Sequence, residues 1–137
     1  MDAFDGAKGA IFIGGRLLVL LRDAKPWISA PNLWDLPGGG REGAETPKQT
    51  LARELREELG LTLDGARRLF AERHGGAFWF FVLALPEGAE RRVRLGDEGQ
   101  GWALVTPGVY FAMRHVPRQA ARLQAWLAAG GIHQIPA

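Results

Sequence analysis

Short apolar runs alternate with breaks marked by glycine or proline, a pattern that predicts strands and turns interrupted by three helical intervals. Runs at 10–13 and 17–21 flank Gly14-Gly15-Arg16 and read as two buried strands joined by a tight hairpin turn. The longest run, Phe78 to Leu85, is apolar at every position, which implies a strand buried on both faces, as in a sheet covered by helices. Further strand pieces are expected at 61–63, 67–73 and 102–105, and an edge strand guarded by arginines at 91–95. The period turns helical where Leu51, Leu55 and Leu59 recur every four residues and form a stripe that should face the core. Thr46-Pro47-Lys48-Gln49 supplies a cap, a proline at the first helical position and a capping-box glutamine, and Gly60 is a natural stop. A short helix is expected from Thr106-Pro107 to about Met113. A last one opens at Val116-Pro117-Arg118, carries Ala120, Ala121, Leu123, Trp126 and Leu127 on one stripe, and ends at Gly130-Gly131.

This order, with a hairpin, a helix, several strands and a late helix, predicts an α/β sandwich with a mixed sheet between helical layers. The length suits one domain over 1–137, with loose termini at 1–6 and 131–137. Apolar content of 47% and charged content of 23% are those of an ordinary globular protein. The net charge is only +2 and no Lys/Arg block stands out, so binding to a nucleic-acid polymer is not expected. With no cysteine, a disulfide framework, a zinc-thiolate site and a cysteine nucleophile are all excluded. The first residues lack a signal peptide's basic and apolar regions, and the apolar stretch from 10 to 21 is too interrupted to span a membrane, so a cytoplasmic protein is expected. The strand expected at 91–95 could support a homodimer.

The chemistry concentrates in 39–61. Glu54, Glu57 and Glu58 stand at i, i+3 and i+4 and share one helix face, where like charges repel. Arg53 and Arg56 offset part of that repulsion, and a divalent cation would offset more. Mg²⁺ fits hard oxygen donors and retains room for waters and phosphate oxygens, and Mn²⁺ is the alternative. The preceding Pro37-Gly38-Gly39-Gly40 lets backbone approach a ligand closely. The competing reading of such a helix is a solvated acidic face with Glu–Arg pairs.

Read as a pattern, Gly39, Glu45, Arg53, Glu54, Leu55, Glu57, Glu58, Gly60 and Leu61 match G-x5-E-x7-R-E-U-x-E-E-x-G-U without a mismatch, U being apolar. The chain therefore resembles the Nudix hydrolases, and the Trp34-Asp35-Leu36-Pro37-Gly38-Gly39 approach resembles their MutT-like branch. The resemblance implies the Nudix fold and metal-dependent cleavage of a pyrophosphate bond in a nucleoside diphosphate derivative. It casts Glu57 and Glu58 as a metal-binding pair and Glu54 as a metal ligand or general base. Arg53 would orient Glu54, Glu45 would fasten loop to helix, and Gly38 or Gly39 would lend the metal a backbone carbonyl. Glu98, in the acidic loop 96–101, resembles the late loop from which some members draw their base, so Glu54 and Glu98 both stand as candidates.

The substrate is less legible. Arg22, at a strand end, could face a phosphate; Trp27 could cover a substrate; Phe78 could stack a base. The residues past the signature show neither the proline of ADP-ribose hydrolases nor the tyrosine of dinucleoside polyphosphate hydrolases. The small size and the Trp34 approach favour nucleoside triphosphates, including oxidised ones such as 8-oxo-dGTP. A broad hydrolase of nucleotide sugars or dinucleotides is the nearest alternative. A non-catalytic nucleotide-binding module would be expected to lose signature carboxylates, and none is lost. The isoprenoid diphosphate isomerase branch relies on a cysteine that this chain lacks.

Overall fold

Residues 3–136 are described by the computed structural model. The sheet is built around β1 (Gly6–Ile13), which turns through Gly14 and Gly15, both at positive φ, into β2 (Arg16–Leu21). The two strands pair only at the turn, with Phe12 opposite Leu17 and Ile13 opposite Arg16. Beyond that they part, and the next segment fills the gap. There β3 (Trp34–Asp35) pairs with the end of β2, and β4 (Gly38–Gly40) pairs with the start of β1. The glycine loop of the signature is thus held by sheet hydrogen bonds at its base.

On its other side β1 pairs in parallel with β6 (Phe78–Leu85) along its whole length, from Gly6 opposite Phe78 to Ile13 opposite Leu85. β5 (Arg67–His74) lies antiparallel to β6, and β7 (Gly101–Val105) antiparallel to β2. The sheet is therefore mixed, and the unbroken apolarity of Phe78–Leu85 follows from its central place between two layers.

One layer is α1 (Pro47–Leu59), whose Leu51, Leu55 and Leu59 are fully buried against Ile11, Ile13, Leu18 and Leu83. Gly9 lets the helix lie close, since a methyl there would stand 2.9 Å from the Leu51 side chain. The other layer is α2 (Pro107–Ala112) and α3 (Pro117–Ala128), which bring Tyr110, Leu123 and Trp126 against Phe12, Leu17 and Phe80. Each such side chain stabilises the fold by about 1.5–3 kcal/mol. The expected capping box is present: the Thr46 hydroxyl accepts from the Gln49 N–H while the Gln49 side chain accepts from the Thr46 N–H. Gly60 closes the helix in the left-handed conformation.

Two strand expectations are corrected. Segment 91–95 is not an edge strand: Gly88 at φ +90° starts a 3₁₀ turn, Ala89–Arg92, and the chain then meets the end of α1. There the Arg94 and Gly96 N–H groups donate to the carbonyls of Leu59 and Glu58, groups a helix terminus leaves unpaired. The dimer expected from that strand loses its basis. Segment 61–63 forms no strand, although Leu61 is buried in the α1 layer. Among the described residues, some of those near the two ends are tied to the fold. Phe4 is buried, the Asp5 N–H donates to the Ala77 carbonyl, and Gly6 already belongs to β1. Gly131–Gln134 forms a 3₁₀ turn packed on Trp126.

Candidate active site

The site is assembled by Arg53, which leaves the middle of α1 and ties helix to loop. Its Nε donates to Glu45 Oε2 at 2.8 Å and its Nη2 to the Gly40 carbonyl at 2.6 Å. Its Nη1 donates to Glu54 Oε1 at 3.0 Å and to Glu57 Oε2 at 3.1 Å. With a further bond from Nη2 to Glu45 Oε1 at 3.3 Å, five charge-assisted bonds fix one guanidinium, and its pKa is pushed further up, chiefly by Glu45. Glu45 Oε1 also accepts from the Glu42 N–H and the Thr50 hydroxyl. Arg53, above all, holds the Glu45 carboxyl below its ordinary range. Arg53 and Glu45 are thus found as a clamp between the 41–46 loop and the helix.

Glu54 and Glu58 sit against the glycines. A methyl on Gly39 would lie 2.7 Å from the Glu54 carboxyl, so the absence of a side chain there is what admits the carboxylate. Gly38, at φ +133°, has its missing Cβ aimed at the Ala7 carbonyl and turns its N–H to Glu58 Oε1 at 2.9 Å. Burial raises the Glu54 pKa, against the pull of Arg53. Burial raises that of Glu58 to about 7, although Lys8 and the Gly38 N–H act the other way.

These carboxylates face an open hollow lined by Glu42, Glu54, Glu57, Glu58, Asp97 and Glu98. A second hollow adjoins it, sharing Glu58 and Glu98, with Arg22, Asp23 and Trp27 on its walls. The structure therefore brings Glu98 and Trp27 to the signature carboxylates from two separate loops. Trp27 is 78% exposed on the rim. The two loops are bound to each other: the Gly99 N–H donates to Asp23 Oδ1, and Gln100 Nε2 donates to the Arg22 carbonyl and to Asn32 Oδ1. Arg22 lines the hollow, but its guanidinium is occupied with the Ser29 and Ala30 carbonyls and lies 3.5 Å from Asp35. It holds the 23–32 loop more than it offers itself to a phosphate. Phe78 is not brought here; it floors a different hollow, beside α3.

The acidic donors suit a hard divalent ion in kind, and the Gly39 recess suits a carboxylate that must stand close to backbone. Among the described residues no three Asp, Glu or His side chains already converge at metal-holding distance. Arg53 spans Glu54 and Glu57 instead, and the Glu57 side chain is exposed enough to swing.

Two residues of the site escaped sequence reasoning. Lys8, only 7% exposed, donates from Nζ to Asp35 Oδ2 at 2.8 Å and to the Leu36 carbonyl at 3.1 Å. Asp35, 2% exposed, accepts from the Leu36 N–H through its other oxygen. This buried pair locks β1 to the turn before the glycines. A lone lysine inside an apolar strand was the available signal.

Known proteins give the same picture. The NUDIX domain profile matches residues 6–127. The chain is 30% identical over 112 residues to Nucleoside triphosphatase NudI of Escherichia coli, covering 71% of this chain and 79% of that protein. A stretch of 50 residues is 44% identical to "Putative 8-oxo-dGTP diphosphatase 3" of Mycobacterium tuberculosis, and it spans 36% of this chain but only 23% of that protein. The crystal structure of RenU, a Nudix hydrolase from M. smegmatis, shares the fold with a TM-score of 0.77 at 20% identity, covering 98% of this chain and 88% of that one. With the profile spanning nearly the whole sheet and the complete signature folded into α1 and the loop before it, the chain belongs to the Nudix domain family.

Proposed function

We propose that the protein hydrolyses a pyrophosphate bond in a nucleoside diphosphate derivative, most naturally a nucleoside triphosphate, giving the monophosphate and pyrophosphate. The observation that carries this reading is the Arg53 clamp. It holds Glu45, Glu54 and Glu57 against the glycine loop beside half-buried Glu58, at two adjoining hollows that Glu98 and Trp27 also reach. Glu54, Glu57 and Glu58, with a carbonyl of Gly38 or Gly39, would hold Mg²⁺ or Mn²⁺. When bound, the ion neutralises charge on the phosphate oxygens. The chain's own residues do the rest. Arg53 keeps Glu54 oriented, and Glu54 or Glu98 accepts the proton of the water that attacks phosphorus as the phosphoanhydride P–O bond breaks. Such a base contributes roughly 10²–10⁴-fold. Trp27 offers an exposed ring over the mouth of the site, suited to stacking on a base. NudI is named a nucleoside triphosphatase, and the M. tuberculosis relative is named for 8-oxo-dGTP, which supports triphosphates, oxidised ones included, ahead of nucleotide sugars or dinucleotides.

Turnover of nucleoside triphosphates, 8-oxo-dGTP, nucleotide sugars and dinucleotides with Mg²⁺ or Mn²⁺ tests the reading. Triphosphates should be cut fastest, and chelation should stop the reaction. Glu57→Gln should nearly abolish turnover with the fold intact, and retention of most activity would refute its assignment. A loss of about 10²-fold or more in Glu98→Gln identifies it as the base, whereas a few-fold loss leaves that role to Glu54.

A further inference from the structure

The hollow beside α3 plays no part in the scheme above. It is an open recess of about 480 Å³ between the β5–β6 hairpin and the start of α3, with Phe78 in its wall. Arg118 and Arg122 stand one helical turn apart on the same face and both line it. The Arg122 guanidinium lies over the Phe78 ring, 5.3 Å from its centre, and spends one N–H on Gln119 Oε1 at 3.2 Å. Among the described residues no carboxylate pairs with either arginine. Asp5 also lines the hollow and, among the described residues, forms no ion pair. His74 Nε2 is buried without a hydrogen-bond partner, and the Glu72 carboxylate stands 3.8 Å away.

This arrangement is unfavourable on its own. Arg122 is partly desolvated, and the like charge of Arg118 at i−4 repels it as well, which together depress its pKa. Arginines so placed are usually offset by acidic neighbours, and here the offset is missing. A guanidinium seated on an aromatic face keeps its edge N–H groups free, and those present the planar fork that fits an oxyanion. We propose that this hollow is an oxyanion-binding subsite for a phosphoryl group, with Arg118 and Arg122 as donors and the Phe78 ring as the platform that fixes Arg122.

Its position suggests two sources for the phosphate. Gly6 pairs with Phe78 on one side and Gly40 on the other, so the Phe78 backbone lies two strand spacings, about 10 Å, from the edge of the signature loop. The hollow lies on the α3 side of the sheet and the signature carboxylates on the α1 side, so a second phosphate on the substrate reaches it only round the strand ends, whereas a free phosphate can bind there alone. The binding claim stands apart from hydrolysis, and only the first source rests on the function proposed above.

The test is an NMR titration of the metal-free protein in EDTA with inorganic phosphate. Saturable shifts of the amides from His74 to Phe78 and at the start of α3 are expected. In R118Q/R122Q, which keeps helix-forming residues on an accessible face, affinity should fall about tenfold or more as charge-assisted bonds are lost. A thermal melt checks that the variant is folded. Absence of those shifts, or equal shifts in the variant, overturns the proposal. No metal or turnover is required, so failure of the hydrolase reading would leave this result untouched. To separate the sources, a nucleoside triphosphate is compared with its 3′-phosphorylated counterpart, by kcat/KM or by competition binding. A preference for the second that disappears in R118Q/R122Q assigns the subsite to the substrate; phosphate shifts without such a preference assign it to a free anion.

Discussion

At the scale of the residue, Glu58 is the carboxylate whose pKa folding moves furthest. Burial lifts its pKa from the ordinary carboxylate range to about 7. Between those limits the folded protein binds a proton that the unfolded chain has released, so stability falls as pH rises through this window. The drop is on the order of 3 kcal/mol between pH 4 and pH 8, at 1.36 kcal/mol per pKa unit. Urea denaturation of metal-free protein across that range should show it, and E58Q should flatten it. Mg²⁺ should also shrink the slope, since a bound cation favours the ionised carboxylate that Lys8 and the Gly38 N–H only partly compensate. A slope unchanged by E58Q would assign the effect to another group.

At the scale of the element, the decisive join is between β1 and the β3–β4 turn. Strands β1 and β2 diverge after two residue pairs from the turn, and β3 and β4 are too short to hold themselves. The Lys8–Asp35 pair and the Gly9 N–H donated to the Pro37 carbonyl supply the missing connection. Replacing Lys8 with Met would leave Asp35 buried with the Leu36 N–H as its one close partner and a 3.5 Å contact to Arg22 as its one remaining cation. The cost should be about 3 kcal/mol or more, as when one partner of a buried pair is removed. Pairing K8M with D35N should recover part of it, because the uncompensated charge is then gone. Urea midpoints of the two variants measure this, and equal stability of the single and double variants would refute the assignment.

At the scale of the whole molecule, the sheet separates chemistry from support. The signature helix and its loops lie on one face; Leu123 and Trp126 of α3 fill the core on the other. Leu123→Ala should therefore cost about 2–5 kcal/mol of stability. The activity of the folded fraction should stay within a few-fold of the parent, since no signature residue is in the Leu123 cluster. A melting curve with an assay well below the transition checks both halves. Among the described residues no helix is long and apolar enough to cross a membrane.

The signature helix was legible because its determinants are local. The Thr46 cap, the leucine stripe and the Gly60 stop act within a few turns of each other, and the i, i+3, i+4 spacing alone places Glu54, Glu57 and Glu58 on one face. The central strand was legible for a similar reason: a fully apolar run can only be buried on both sides. What depended on neighbours was not legible. The arginine-rich segment at 91–95 has the pattern of an edge strand, but the N–H of Arg94 and that of Gly96 just beyond it were captured by the free carbonyls of Leu59 and Glu58 at the end of α1. Arg22 carries a charge suited to phosphate and spends it on its own loop. Phe78 lies in the strand the pattern predicts, yet it faces the α3 arginines instead of the signature carboxylates. Lys8 reads as an anomaly in an apolar strand until Asp35, 27 residues away, arrives beside it. The reaction chemistry was therefore written in one contiguous stretch, while the walls of its site and the second, arginine-lined hollow come from segments that only folding brings together, because charge, burial and unpaired backbone groups are settled between elements and not within them.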